Sequence, residues 1–192
     1  MSKRLASIIA QVLALVVLVS ALVYYNFIDK SGEAVEGVDV GDICPNFTVQ
    51  RIVDDGETFS LGEETYTLYE NEGKVRIINF WATWCSGCIA EMPDFNRIAT
   101  DYPEIDVVAI TCQPYETTDV FEWLNKNQTA WLGYDISFGY SANERLNATL
   151  GAKKGSLPMT VILDKDGTIV FNKEISRDYE QLKEIIEPLL AD

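Results

Sequence analysis

After Lys3 and Arg4 the chain carries no charge from Leu5 to Val23 and stays apolar through Tyr24, Tyr25, Phe27 and Ile28 until Asp29. A helix rising about 1.5 Å per residue over this run matches a hydrocarbon layer about 30 Å thick, with the paired tyrosines at interfacial depth. Two cations ahead of the run and none within it predict residues 1–4 in the cytoplasm, residues 5–28 as a single-pass signal anchor, and the remainder outside. A cleaved signal peptide is the competing reading: the small residues of Val19-Ser20-Ala21 allow cleavage after Ala21, which would release a secreted product. A buried core helix is a third reading, and so long an uncharged run disfavours it. The apolar run continues past Ala21, which favours the anchor. Residues 29–38, small and acidic, read as a tether to a folded domain over 39–192.

Within that domain the period of the pattern changes repeatedly. Phe47 to Val53 alternates apolar and polar, and Asp54-Asp55-Gly56 then signals a hairpin into a second strand at Thr58–Leu61. Val75–Phe80 is a nearly continuous apolar run, the mark of a strand covered on both faces. Ile89, Met92, Phe95, Ile98 and Tyr102 recur at threes and fours and predict a helix, with Pro93 expected to kink it. Strands are expected at Ile105–Thr111 and Ala130–Asp135 and helices at Asp119–Asn127 and Ala142–Leu150. Strands at Met159–Leu163 and Thr168–Asn172 flank the turn Asp164-Lys165-Asp166-Gly167, and an amphipathic helix at Tyr179–Leu190 ends the chain. This order implies an α/β fold with a mixed central sheet and helices on both faces.

Composition narrows the chemistry. The 192 residues include 15 Lys and Arg, 30 Asp and Glu, and no histidine. Nucleic acid is excluded as a partner, since phosphate binding needs clustered cations. The absence of histidine removes Ser-His-Asp and Cys-His catalysis and His-ligated metal sites. The 15 cations less Lys3 and Arg4 leave 13 against 30 acids beyond the anchor, a charge of −17 that disfavours anionic lipid and selects neutral or basic partners.

The chemistry that remains sits in Cys85-Ser86-Gly87-Cys88, directly after a buried strand and at the start of a helix. Free N–H groups and the positive dipole end there favour a thiolate at Cys85, below the ordinary value of about 8.5. Two intervening residues place both sulfurs on one turn, so that Cys88 can attack a mixed disulfide formed at Cys85. A structural disulfide and half of a metal site are the rival readings, and the wide separation of Cys44 from Cys112 argues against metal.

Asn79-Phe80-Trp81-Ala82-Thr83-Trp84-Cys85-Ser86-Gly87-Cys88-Ile89-Ala90-Glu91-Met92-Pro93 resembles the active-site strand, loop and helix of the TlpA/ResA branch of the thioredoxin superfamily, membrane-tethered extracytoplasmic thiol-disulfide oxidoreductases. Gly41–Phe47 and Gly155–Gly167 extend the resemblance over nearly the whole domain. It implies a thioredoxin-like three-layer fold with an N-terminal β-hairpin extension and a central strand and helix insertion. It makes Cys85 the nucleophile, Cys88 the resolving thiol, and Pro158 a cis-proline that, with Leu157 and Trp84, meets the substrate. Glu91 matches a glutamate of the ResA-like pattern and is the expected acid/base; a solvated helix glutamate is the alternative. Asn79 stands where thioredoxin has a buried acid and cannot exchange protons. No cofactor and no metal are implied. The implied partners are exported disulfide-containing proteins, such as apocytochrome c during haem attachment, and a membrane electron donor of CcdA/DsbD type.

Departures from the family pattern concern the proline-free dipeptide Ser86-Gly87, Met159 where threonine is usual, and the extra cysteines Cys44 and Cys112. The last two are expected either to form a second disulfide or to supply a relay to the active pair. Rival functions on the same fold are a disulfide-forming oxidase, a peroxiredoxin-like peroxidase and a non-catalytic binding module. Ala82, where the peroxidase pattern needs threonine, argues against the second.

Overall fold

A computed structural model describes residues 11–20, 35–70, 73–112, 117–127, 131, 133–143, 145–152 and 156–191. The chain divides into two units, residues 1–35 and 36–192. In the first, residues 11–20 form a helix, α1. Among the described residues no helix is long and apolar enough to cross a membrane, and the remainder of the expected 5–28 span lies outside them, as does most of the 29–38 tether.

The second unit runs β1 (Thr48–Asp54), β2 (Phe59–Thr67), β3 (Arg76–Trp81), α2 (Ser86–Asp101), β4 (Asp106–Thr111), α3 (Thr117–Lys126), β5 (Ser137–Tyr140), α4 (Leu146–Thr149), β6 (Met159–Leu163), β7 (Ile169–Lys173) and α5 (Tyr179–Leu190). The strands make one seven-stranded sheet in the order β2-β1-β5-β4-β3-β6-β7. β3, β4 and β5 are parallel neighbours, whereas the β1–β2 hairpin on one side and the β6–β7 hairpin on the other join antiparallel. This is the thioredoxin-like α/β arrangement, with the hairpin extension and an inserted strand and helix, β5 and α4, between β4 and β6.

All six residues of β3 are buried, because the sheet separates two cores. Ile77 and Trp81 point into one, with Met92, Phe95 and Ile98 of α2, Val120 and Leu124 of α3, and Leu182 and Ile186 of α5. Ile78 and Phe80 point into the other, with Val108, Ile110, Met159, Val161, Leu146 and Leu150. Alternation along the strand thus assigns each side chain to its layer. α2 buries Cys88, Glu91, Met92, Phe95, Ile98 and Ala99, one helical stripe. It continues through Pro93, whose ring removes the hydrogen bond that the Ile89 carbonyl would accept.

Two elements differ from the sequence expectation. Of the strand expected at Ala130–Asp135, Ala130 and Leu132 lie outside the described residues; Trp131 is helical, Gly133 lies in a turn at φ 74°, and the strand begins at Ser137. Trp131 packs into an aromatic cluster instead, stacking on Phe138 at 5.7 Å and meeting Trp81 edge-on at 5.2 Å. The helix expected over Ala142–Leu150 contracts to Leu146–Thr149. Local side chains compete for its backbone: Asn143 Oδ1 accepts from Arg145 N–H at 3.0 Å, and Ser141 Oγ accepts from Asn143 N–H at 3.1 Å.

Trp81 links the reactive edge of the sheet to this aromatic cluster, touching Trp123, Trp131 and Phe138 while 1% exposed. Trp81→Ala is expected to destabilise the fold by about 3–5 kcal/mol, read as a lowered urea midpoint with unchanged slope, while Trp81→Phe costs less.

Candidate active site

β3 ends at Trp81 and the chain turns through Ala82–Trp84, so that Cys85 caps α2. The turn is closed by Cys85 N–H donating to Ala82 C=O at 3.0 Å. Cys85 has extended backbone (φ −88°, ψ 93°), and its sulfur accepts from the Cys88 N–H at 3.2 Å. A sulfur in the N-cap position lies where the free N–H groups and dipole of a sixteen-residue helix favour negative charge. Cys85 and Cys88 are joined in a disulfide, S–S 2.08 Å, with Cα atoms 5.3 Å apart. Cys88 is completely buried and Cys85 is 7% exposed, so an incoming sulfur reaches Cys85 through a narrow opening. Trp84, by contrast, is 62% exposed immediately before it.

One turn further along α2, Glu91 is buried under the disulfide's side of the helix, neighbouring Cys88 at the i, i+3 spacing. Three donors from two elements converge on its carboxylate. From β3, Asn79 Nδ2 donates to Oε1 at 2.9 Å. From the segment between β7 and α5, the Arg177 backbone N–H donates to Oε2 at 2.9 Å, and the Ser176 hydroxyl adds a weaker interaction. Burial outweighs these donors and pushes the carboxyl up from 4.5 to about 7. Asp94 on the same helix adds to the rise. The carboxyl is therefore half-ionised at neutral pH, where a proton carrier is most effective.

The Leu157–Pro158 peptide bond is cis, as the resemblance implied, and both residues are half-buried at the start of β6. A β-carbon built on Gly87 would lie 3.7 Å from Pro158 Cδ and 3.2 Å from Ser176 Oγ, so the dipeptide, the proline and the β7–α5 segment meet at one point. Asn79, Ser176 and Arg177 were not singled out as contributors from the sequence. Asn79 stood out only as an acid that was missing, and nothing in the run Lys173 to Arg177 marks a site. The signal available was the capping box that follows it: Asp178 accepts from Gln181 N–H at 2.9 Å, and Gln181 Oε1 accepts from Asp178 N–H at 3.3 Å. That box fixes the start of α5 and with it the approach of Arg177.

The expected second disulfide between Cys44 and Cys112 is not formed; both are free thiols. The topology explains the correction. Cys44 N–H donates to Gly167 C=O in the β6–β7 turn, and β6 runs antiparallel to β3, so Cys44 lies at the edge opposite the active site. Cys112 follows Thr111, which pairs with Trp81 at the active-site edge. The length of β3 separates them, on the order of 15 Å, against about 6 Å between the Cα atoms of a disulfide. Burial pushes the Cys44 thiol up to about 12, with Glu36 adding to it, and that of Cys112 up to about 11, which leaves both poor nucleophiles and unsuited to a relay.

Alkylation of the denatured, unreduced protein is expected to label two thiols, Cys44 and Cys112, and reduction to raise the number to four; a protein with no free thiol would contradict the topology. Glu91 also makes stability depend on pH. Its native value lies above its unfolded one, so the native state holds the proton more tightly, and this contribution is present below about pH 4.5 and disappears as pH rises through about 7. The difference amounts to about 3 kcal/mol, and the stability of Glu91→Gln, measured by urea unfolding against pH, is expected to lack that decline.

Residues 40–172 match the AhpC/TSA family. The chain is 30% identical over 155 residues to the thiol-disulfide oxidoreductase ResA of Bacillus cereus strain ZK/E33L, spanning 81% of this chain and 79% of that protein. It is 29% identical over 132 residues to ResA of Oceanobacillus iheyensis, where the match spans 68% of this chain and 62% of that protein. Among solved structures, a secreted thiol-disulfide isomerase from Corynebacterium glutamicum superposes with a TM-score of 0.64, covering 84% of this chain and 94% of that one at 20% identity, a likeness of fold. With a C-x-x-C on the first turn of α2 and a cis-proline beside it, the chain belongs to the AhpC/TSA family of thioredoxin-fold proteins, among the ResA-type thiol-disulfide oxidoreductases.

Proposed function

We propose that the protein is an anchored extracytoplasmic reductase of disulfides in exported partner proteins. The observation that carries this reading is the difference between the two sulfurs: Cys85, at the helix terminus, has the only opening to solvent, and Cys88 is sealed beneath it beside a carboxyl group poised near neutrality. The Cys85 thiolate attacks a substrate disulfide, forming a mixed disulfide and releasing one substrate thiolate. The Cys88 thiolate then attacks the Cys85 sulfur, the second substrate thiolate leaves, and the enzyme ends with the Cys85–Cys88 bond. Two electrons pass to the substrate, whose thiolates take up the two protons given up by the cysteines. Glu91 accepts the proton of Cys88 as that thiol becomes the attacking thiolate and passes it on to the departing substrate thiolate; the same carboxyl supplies a proton to Cys88 when the pair is reduced again. Trp84, Leu157 and Pro158 border the opening and bind the substrate segment around its disulfide; a residue that precedes proline favours extended backbone, and Leu157 in that form offers pairing to an extended chain.

Residues 5–28 anchor the protein with residues 1–4 in the cytoplasm, and residues 29–38 tether the 39–192 domain outside; the uncharged run from Leu5 supports this. A reductant working there needs electrons from the membrane, which a donor of CcdA/DsbD type supplies. Relatives named ResA and the implied part in cytochrome c maturation make an apocytochrome c the substrate to try first.

Reduction of insulin by the full chain with dithiothreitol as donor tests the chemistry. Cys85→Ser is expected to fall to the rate of dithiothreitol alone, and a variant as active as the parent would remove this mechanism. In the parent the rate is expected to fall as pH drops below about 7, because a protonated Glu91 cannot accept a second proton. Glu91→Gln is expected to lose that inflection and about 10²-fold in rate.

A further inference from the structure

The dipeptide between the two cysteines has no role in the mechanism above, yet one of its members is costly. Gly87 lies in the first turn of α2, where glycine is about 1 kcal/mol less favourable than alanine, and its φ is not positive, so the backbone does not require it. Space is the remaining reason. A β-carbon there would come within 3.2 Å of Ser176 Oγ, closer than such contacts ordinarily are, and the hydroxyl would have to move.

Ser176 belongs to the short segment between β7 and α5 that closes over Glu91. Its neighbour Arg177 gives the carboxylate a backbone N–H at 2.9 Å, and the Ser176 hydroxyl acts on the same group. The segment is held from its far side as well. The Arg177 guanidinium lies over the Phe171 ring at 4.8 Å and donates to Gln181 Oε1 at 3.4 Å, and the Asp178–Gln181 capping box fixes the next residue. With the far side fixed, an added atom at position 87 displaces the serine and not the helix α5.

We propose that Ser176 is a positioning residue for Glu91, and that position 87 is glycine so that the Ser176–Arg177 segment can close over the carboxylate from across the active site. This rests on the reading of Glu91 as the proton carrier. The charged groups on the elements around Glu91 are Asp94 on α2 and Arg177 and Asp178 at the start of α5; β3 and β6 present the neutral Asn79 and Thr160. Burial and Asp94 disfavour ionisation of Glu91, and the donors of this segment, together with Asn79, keep it reachable near neutral pH. The residue between the cysteines therefore acts on proton transfer through space, by admitting the serine, and not through the sulfurs alone.

The test follows the Glu91 carboxyl by carbon NMR in the oxidised full chain in detergent, with labelled glutamate and the signal assigned by its loss in Glu91→Gln. Ser176→Ala removes the hydroxyl and Gly87→Ala displaces it, so each is expected to raise the titration midpoint by about half a pH unit or more. Because both act through one hydroxyl, the double variant is expected to shift no further than the larger single, and Ser176→Thr is expected to keep the parental midpoint. A midpoint unchanged in either alanine variant, or shifts that sum in the double, overturns the proposal. Ser176 is exposed, so its variants are expected to fold. No turnover enters this measurement: failure of the reductase reading would appear as insulin reduction by Cys85→Ser, whatever the midpoints do.

Discussion

Taking a carboxyl group out of water costs several kcal/mol unless donors meet it, and at Glu91 the donors come from parts of the chain far apart in sequence. Asn79 is on the central strand, Glu91 on the helix that carries the cysteines, and Arg177 on the approach to the last helix. The arrangement works only if α2 lies on β3 with one particular face down and α5 starts at one particular residue. The hydrophobic stripe Met92, Phe95 and Ile98 sets the first condition and the Asp178–Gln181 box the second. Packing and capping thus place a group that neither could have placed alone.

The same geometry divides labour between the sulfurs. The helix terminus favours charge at Cys85, which meets solvent, while Cys88 lies beneath it without exposure and one turn from Glu91. In the proposed mechanism, proton movement and nucleophilic attack fall at different ends of a single helical turn. In a chain without histidine, burial brings one carboxyl, Glu91, to about 7, where the proposed proton transfer needs it and an exposed glutamate, ionised near 4.5, would not be.

The central strands, α2 with its buried face and the position of the cysteine pair were legible because period, glycine and proline punctuation, and a C-x-x-C at a strand-to-helix junction all agree there. β5 was misplaced because tertiary packing decides this stretch: Trp131 is consumed by the cluster around Trp81 and Gly133 turns the chain. The helix before Leu150 was overextended because Asn143 and Ser141 hydrogen-bond the backbone locally, an outcome composition hints at without fixing the boundary. Cys44 and Cys112 looked like partners because spacing along the chain says nothing of which edge of a sheet a residue reaches; one backbone hydrogen bond, Cys44 to Gly167, decides it. Ser176 and Arg177 were invisible for a related reason: a backbone N–H has no sequence signature, and its role appears only once α5 is docked.

The central claim is that Cys85 attacks and Cys88 resolves. Trapping of the covalent intermediate tests it most directly: Cys88→Ala and Cys85→Ala, each reduced and then mixed with a disulfide-containing protein, are compared by non-reducing electrophoresis and mass spectrometry. The account predicts a stable mixed disulfide through Cys85 in Cys88→Ala and none in Cys85→Ala. Equal trapping by both, or trapping through Cys88 alone, would contradict it.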